Sequence, residues 1–252
     1  MSPGAAVAGR LDQRLVDLGL APTRSQAEAL IRAGRVLVDD VPVEKPGTRV
    51  RAGSQVRLRG ETRRFASRGG EKLAGALADL GVDPAGRRCL DLGASTGGFT
   101  DCLLRAGARE VVAVDVGYGQ LDPRLRRDPR VRVLERTNAR TLEASALGGP
   151  VDLVTLDLSF ISVRLVLPRV REVAPEAELL VLVKPQFEVG RERVGKGGVV
   201  RDEGLRAEAV RGVREAAEAL GYEVAGQAES RLPGPRGNRE IFLHLRPAPA
   251  SR

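Results

Sequence analysis

Lysine is rare in this chain, with only Lys45, Lys72, Lys184 and Lys196 among 41 basic residues. Arginine stays protonated at any working pH, whereas lysine can lose its proton when a neighbouring cation or desolvation favours the neutral amine. A lysine kept where arginine is the default is therefore a candidate base. Lys184 closes the apolar run ELLVLVK, and Pro185 stops it there. Asp157 closes VDLVTLD, the preceding strand-like run. Open α/β sheets bind ligands beyond the carboxyl ends of their strands, so an amine and a carboxylate at two such ends would face one mouth. Each alone reads equally well as a salt-bridged strand end; the two together favour a site.

A second constellation is DLGASTGGFTD at positions 91 to 101, between the apolar run Arg88 to Leu92 and an amphipathic helical run from Phe99 to Ala106. Glycines at 93, 97 and 98 let backbone approach a ligand, and a helix start offers free N–H groups. The spacing G-x-x-x-G-G departs from the G-x-G-x-x-G of dinucleotide sites, which makes NAD or FAD the weaker reading. The next strand-like run, Glu110 to Val114, ends at Asp115, where an acidic residue accepts hydrogen bonds from both hydroxyls of a ribose. Loop and carboxylate together read as an S-adenosylmethionine site, against a plain strand-to-helix turn. Methyl transfer from a sulfonium to an alcohol is an in-line displacement that needs alignment and removal of the hydroxyl proton. An unperturbed lysine is neutral in only about one molecule in 2,500 at pH 7, so its neighbours decide whether it can serve as the base.

The elements that must position these groups follow from periodicity. Strands are expected at 88–92, 110–115, 131–134, 151–157 and 179–184, with helices at 71–80, 99–106, 163–172 and 204–220. Such alternation implies a parallel sheet covered by helices on both faces. The last two strands, near 222–229 and 240–246, are joined by only about ten residues around PGPRGN, too few for a parallel crossover, and so read as an antiparallel pair. GRERVGKGG at 190–198 reads as a mobile loop over the site.

Upstream, RLDQRLVDLGL places Leu11, Leu15 and Leu18 on one helical face, and a second helix with Thr23 or Ser25 as its cap runs up to Gly34. Short strands follow at 36–38, 41–43, around Val50 and at 56–58, with a turn at Asp39-Asp40. Residues 1–66 carry 12 Lys and Arg against 7 Asp and Glu, and the rest of the chain 29 against 26. Most of the basic surplus thus sits in about a quarter of the chain, as a nucleic-acid footprint or as a solvated Arg-rich surface.

Composition removes several classes. Cys89 and Cys102 offer neither a disulfide framework nor metal spacing, and His244, the one histidine, reads as a strand residue in EIFLHLR. No metal is expected. There is no apolar stretch of about 18 residues, and the first residues lack the basic and apolar regions of a secretion signal. A cytoplasmic protein that does not enter membranes is expected.

The run SQAEALIRAGRVLVDDVPVEKPGTRV resembles the alpha-L RNA-binding module of a small-subunit ribosomal protein, bacterial pseudouridine synthases and tyrosyl-tRNA synthetase. That resemblance implies RNA contacts at Arg10, Arg14, Arg24, Arg32 and Arg35. The set GGEKL, DLGASTGG, VDVGYGQL, ERTNAR, DLSFIS, VKPQFEVG and PGPRGNREIF is similar, over nearly the whole chain, to the TlyA family of ribosomal RNA 2′-O-methyltransferases, whose members are also called hemolysins. Their catalytic domain resembles the FtsJ-type ribose methyltransferases with a Lys-Asp-Lys-Glu tetrad. Carried over, the tetrad is Lys72, Asp157, Lys184 and Glu240, and the cofactor contacts are Asp91, Gly93, Ser95, Gly97 and Asp115, with Asn138 near the adenine.

The resemblance implies an α/β fold, with a Rossmann-like S-adenosylmethionine-dependent methyltransferase sheet at 71–247 and a small α+β RNA-binding module at 1–60; between them residues 61–70, polar, glycine-bearing and poor in apolar periodicity, read as a linker. Its partners would be ribosomal RNA or ribosomal subunits. One departure lies in the linker, where Arg63-Arg64-Phe65-Ala66 stands in place of Arg-x-Trp-Val. Two alternatives remain at this point. A base-directed methyltransferase would usually show D/N-P-P-Y/F where this chain has Asp157-Leu158-Ser159-Phe160, or a nucleophilic cysteine after a proline; a non-catalytic RNA-binding assembly factor would need only the basic module.

Overall fold

Seven strands of the larger unit form one sheet, whose inner strands are apolar and buried on both faces while Tyr222–Glu229 at one edge alternates buried and exposed residues. In the computed structural model, which describes residues 9–51, 53–59, 64–234 and 236–249, the chain divides into Met1–Arg63 and Arg64–Arg252. Expectations for residues 1–8 and 60–63, Arg63 of the linker motif among them, fall outside the described residues.

In the first unit the elements are β1 (Gly9–Arg10), α1 (Leu11–Asp17), α2 (Arg24–Arg32), β2 (Val36–Val38), β3 (Val41–Pro42), β4 (Arg49–Val50) and β5 (Val56–Leu58). Thr23, one of the two expected caps, accepts a hydrogen bond from Gln26 N and starts α2. Asp39 (φ 49°) and Asp40 (φ 71°) turn β2 into β3, both central residues having the positive φ that a tight hairpin of type I′ demands. The strands pair as β3-β2-β5, and β4 pairs with β1, a partner the sequence pattern did not signal. Leu11, Leu15, Ala27, Ile31, Val36, Val50 and Val56 form the core.

The second unit holds α3 (Arg68–Leu80), β6 (Arg88–Leu92), α4 (Gly98–Arg105), β7 (Glu110–Val114), α5 (Pro123–Arg127), β8 (Val131–Leu134), α6 (Ala144–Leu147), β9 (Leu153–Leu156), α7 (Leu167–Val173), β10 (Glu178–Val183), α8 (Pro185–Glu188), α9 (Glu203–Glu218), β11 (Tyr222–Glu229) and β12 (Ile241–Pro247). The sheet order is β11-β12-β10-β9-β6-β7-β8, with β10, β9, β6, β7 and β8 parallel and β11 and β12 antiparallel at one edge. Successive residues alternate between faces: Leu90, Leu92, Val112 and Val114 join one core, Cys89, Val111 and Ala113 the other. After β8 the chain returns to the opposite side of β6, so the topological switch lies between β6 and β9. Beyond the carboxyl ends at that switch an α/β sheet offers its ligand crevice.

Three expectations change. The helix expected over 163–172 is a 3₁₀ turn, Val163–Leu165, followed by α7, because Pro168 has no N–H to continue the first turn. Within the segment expected as a linker, Phe65 is 3% exposed and α3 already begins at Arg68, so residues from Arg64 onward pack with the second unit. The loop expected to be mobile carries a 3₁₀ turn, Arg191–Arg193, and a bridge between Gly195 and Val199. Asn238, itself buried, ties it down by accepting from Val200 N at 2.9 Å and donating to Gly198 O at 2.8 Å.

Candidate active site

Four side chains from separate parts of the chain meet as two ion pairs at the carboxyl edge of the sheet. Lys184 follows β10, and its Nζ lies 2.6 Å from Asp157 Oδ1, just past β9, and donates to Ser159 Oγ at 3.0 Å. Ile241 pairs with Val183, which puts Glu240 opposite Lys184 one step beyond the ladder. Lys72 reaches Glu240 from α3, donating from Nζ to Oε2 at 2.5 Å, with both side chains buried. Helix α3 delivers Lys72 because Ser67 caps its start, Leu73, Ala76 and Leu77 bury its inner face, and Gly81 (φ 63°) ends it. Of the four lysines, the two at this edge are buried while Lys45 and Lys196 are exposed.

Two acceptor oxygens in this cluster are left over. Glu240 Oε1 is buried without a hydrogen-bond partner among the described residues. Asp157 Oδ1 faces the Lys184 ammonium as an ion pair without hydrogen-bond alignment. Unmet buried acceptors call for a bound donor such as water or a substrate hydroxyl. Charge is also concentrated here, as carboxylate against ammonium in a partly dry edge where electrostatic interactions are strengthened.

The glycine loop lies beside these pairs. A Cβ on Gly93 (φ 86°) would stand 2.6 Å from Asp157 O, and one on Gly97 (φ 93°) would stand 2.8 Å from Leu121 Cδ1. These two glycines are thus demanded by the protein's own packing and backbone, in addition to any ligand. Asp115 turns its carboxylate back to the loop, accepting from Ser95 N at 2.8 Å and Gly117 N at 2.7 Å. Each oxygen keeps a free lone pair toward a small cleft lined by Ala94, Ser95, Asp115, Gly117 and Gln120. Helix α4 starts at Gly98 with no side-chain cap. A half-buried carboxylate with spare acceptors beside an uncapped helix start fits a nucleoside and its polar tail.

Asp91 is placed differently from the other cofactor candidates. It is fully buried, with Oδ2 accepting from Thr100 Oγ1 at 2.6 Å and Oδ1 from Thr155 Oγ1 at 3.0 Å. Burial pushes its carboxyl up to about 6 against the pull of those two hydroxyls. It ties β6 to α4 and β9 from inside the sheet. Asn138 is exposed after β8, and its Oδ1 accepts from Arg140 N at 3.0 Å to start a 3₁₀ turn.

Several residues at this edge carried no signal that sequence reading used. Phe160, three positions past Asp157, is 88% exposed, adopts φ 68° and contacts the Phe187 ring at 5.4 Å between centroids. Positive φ in a bulky residue marks a conformation held by its surroundings. Ser159, which receives Lys184, and Glu188, buried behind it, sit in the same DLSFIS and VKPQFEVG runs that carried the resemblance. Burial pushes both the Cys89 and Cys102 thiols up to about 12, so neither is a thiolate nucleophile at neutral pH.

In the first unit, the five candidate arginines are not equivalent. Arg10 and Arg24 both bind the fully buried Asp12, at 2.8 and 3.0 Å, and hold its carboxyl far below the usual range. Arg32 pairs with Glu28 at 3.4 Å across one turn of α2. Arg14 has its Nε buried and is likewise engaged. Arg35 is exposed without an ion pair among the described residues.

Among the described residues no group of His, Cys, Asp and Glu could hold a metal ion, and no helix is long and apolar enough to cross a membrane.

Comparison with known proteins assigns the two units separately. The FtsJ-like methyltransferase family matches residues 65–247, and the S4 domain family matches residues 9–56. The 16S/23S rRNA (cytidine-2′-O)-methyltransferase TlyA of Mycobacterium tuberculosis is 54% identical over 239 residues, covering 94% of this chain and 89% of the relative. Hemolysin A of Brachyspira hyodysenteriae is 35% identical over 238 residues, covering 94% of this chain and 99% of the relative. Among solved structures, a hemolysin-named protein from Streptococcus thermophilus superposes with a TM-score of 0.75 at 38% identity, covering 97% of this chain and 90% of the other.

Proposed function

Because this chain belongs to the FtsJ-like methyltransferase family and, within it, to the TlyA group of ribosomal RNA methyltransferases, we infer that it is an rRNA (ribose-2′-O)-methyltransferase that takes its methyl group from S-adenosylmethionine. The observation that carries the chemical reading is the double ion pair, Lys184 with Asp157 and Lys72 with Glu240, at one edge of the sheet. A ribose hydroxyl needs a proton acceptor, and no base-directed pattern of prolines or reactive cysteine is present at this edge.

When bound, the cofactor supplies a sulfonium methyl group open to in-line attack. Asp115, Ser95 and the backbone from Gly93 to Gly97 would hold its nucleoside, with Asn138 beside the base. Lys184 receives the hydroxyl proton together with Asp157. An ammonium cannot accept a proton, but one whose carboxylate neighbour lies 2.6 Å away can pass a proton across and leave a neutral amine beside a neutral acid. The pair as a unit is therefore the base, and Ser159 fixes the direction of Nζ. Lys72 and Glu240 orient the nucleotide, Glu240 Oε1 being the acceptor available to a second hydroxyl. The exposed Phe160 ring offers a stacking face for the base of the target nucleotide.

RNA capture is assigned to the S4 unit, with Arg35, exposed and without an ion pair among the described residues, as the first cation to meet a phosphate. Ribosomal RNA treated with the protein and methyl-labelled cofactor, then mapped by mass spectrometry, tests the reading. Label on a ribose 2′-oxygen is expected; label on a base, or none, overturns it.

A further inference from the structure

Glu188 has no part in the tetrad, yet its carboxylate is among the most heavily engaged groups in the second unit. Its side chain is 1% exposed, and it ends α8, one turn after Lys184. Its Oε2 accepts from Ser162 Oγ at 2.5 Å and from Arg164 Nε at 3.3 Å, and Oε1 accepts from Val163 N at 2.8 Å. The Glu188 carbonyl accepts from Arg164 Nη2 at 3.0 Å. Every one of these donors lies in residues 162–164, at the end of the loop that begins with Asp157.

Two loops are thereby clamped together at three levels. Asp157 meets Lys184, Phe160 meets Phe187, and residues 162–164 meet Glu188. The Asp157 loop carries a positive φ at Phe160, so it is held in shape rather than relaxed. Without the buried acceptor Ser162 Oγ and Val163 N lose the group that receives them, and Arg164 Nε keeps only Ser162 Oγ, at 3.2 Å. A buried carboxylate facing only donors is satisfied as an anion, whereas an amide of the same size presents two hydrogens to those donors.

We propose that Glu188 is a positioning residue that sets the placement of the Asp157–Phe160 loop against Lys184, and with it the alignment of the proton-accepting pair. The inference rests on the reading of Asp157 and Lys184 as that pair. It takes the residue to act through Asp157 without touching substrate.

The test is a double-mutant cycle under single-turnover conditions with the full chain and ribosomal RNA. Glu188→Gln is expected to slow methyl transfer by about tenfold to a hundredfold, the scale of a small misplacement of reacting groups, with cofactor affinity kept within about twofold. In an Asp157→Asn background the same change should cost less than about twofold, because the group it positions is already lost. A folded Glu188→Gln protein working at the parent rate overturns the proposal, as does an equal fold-loss in both backgrounds, which marks a general structural effect. If Glu188→Gln does not fold, Ser162→Ala removes one donor without stranding a charge. It should then show a severalfold loss with the same non-additivity, and additive behaviour again overturns the proposal. Parent-rate transfer by Asp157→Asn alone overturns both this inference and the pair assignment, so the two failures are distinguishable.

Discussion

Lys184 Nζ lies 2.6 Å from Asp157 Oδ1, so the amine proposed to take up a proton stands beside a carboxylate able to relieve it of one. Lys184→Arg keeps a cation at the site but removes a side chain that can become neutral. Transfer in a single turnover should fall at least about a hundredfold, the low end for loss of general acid–base catalysis, while cofactor and RNA still bind. Lys45→Arg, on an exposed lysine of the other unit, should be silent. Near-normal transfer by Lys184→Arg would mean that charge or positioning suffices, and the proton-acceptor role would fall.

Asp115→Ala should weaken S-adenosylmethionine binding by roughly tenfold or more, since hydrogen bonds to a charged group contribute about 1.5–3 kcal/mol. Titration calorimetry on protein with an unchanged melting temperature reads this directly. Unaltered affinity would remove Asp115 from the cofactor site.

Asp91 gives a pH dependence of defined sign. Its folded carboxyl sits at about 6, above the roughly 3.9 of an unfolded aspartate, so between those values the native chain binds more protons than the unfolded one. This contribution to stability is fully present below about pH 4 and is lost as pH rises through about 6. Above that, holding the buried charge costs on the order of 3 kcal/mol. Asp91→Asn should therefore compare more favourably with the parent at pH 7.5 than at pH 5 in urea denaturation. An identical difference at both pH values would show that Asp91 does not titrate in this window.

Arg24 and Arg35 should separate structure from binding. Arg24→Ala takes one partner from buried Asp12 and should destabilise the first unit by about 1–3 kcal/mol. Arg35→Ala should leave stability alone, weaken RNA binding and reduce the slope of log K against log salt by about 0.7–0.9, one phosphate contact. Unchanged affinity and slope for Arg35→Ala would move the footprint elsewhere.

How much of this could be read from sequence depended on the range of the interaction involved. β6, β8 and β11 were legible to the residue, because a short apolar run, as in β6, or period-two alternation, as in β11, bounded by glycines or turns, is a local signal. Lys184 and Asp157 were legible as strand ends. Lys72 and Glu240 were reached only through resemblance, since what joins them is the path of α3 to the start of β12, which no local pattern encodes. Gly69 and Gly70 made the segment before position 71 read as linker; both lie inside α3 after its Ser67 cap, and at Gly70 the room a Cβ would need is taken by Phe65 and Gly98 O. The arginines were counted correctly as charge, but which of them Asp12 and Glu28 neutralise is a tertiary fact.

That close approach of α3 and α4 has a consequence for how the protein tolerates change. A Cβ on Gly70 would stand 2.3 Å from Phe65 Cβ and 2.9 Å from Gly98 O, and one on Gly98 would stand 2.1 Å from Ser67 Oγ and 2.9 Å from Gly70 N. Lys72 lies two residues past the first of these glycines, and the cofactor loop ends at the second. The helix bearing Lys72 and the helix that follows the glycine loop are thus keyed to each other backbone to backbone, with the Phe65 and Ser67 side chains filling what room is left beside the contact. Adding bulk at either position pushes the two helices apart, and trimming Phe65 or Ser67 cannot fully compensate, because the backbone contacts of Gly70 and Gly98 remain. Drift in this family should therefore accumulate on the outer faces of these two helices, while Gly70 and Gly98 change only together with a different way of seating Lys72.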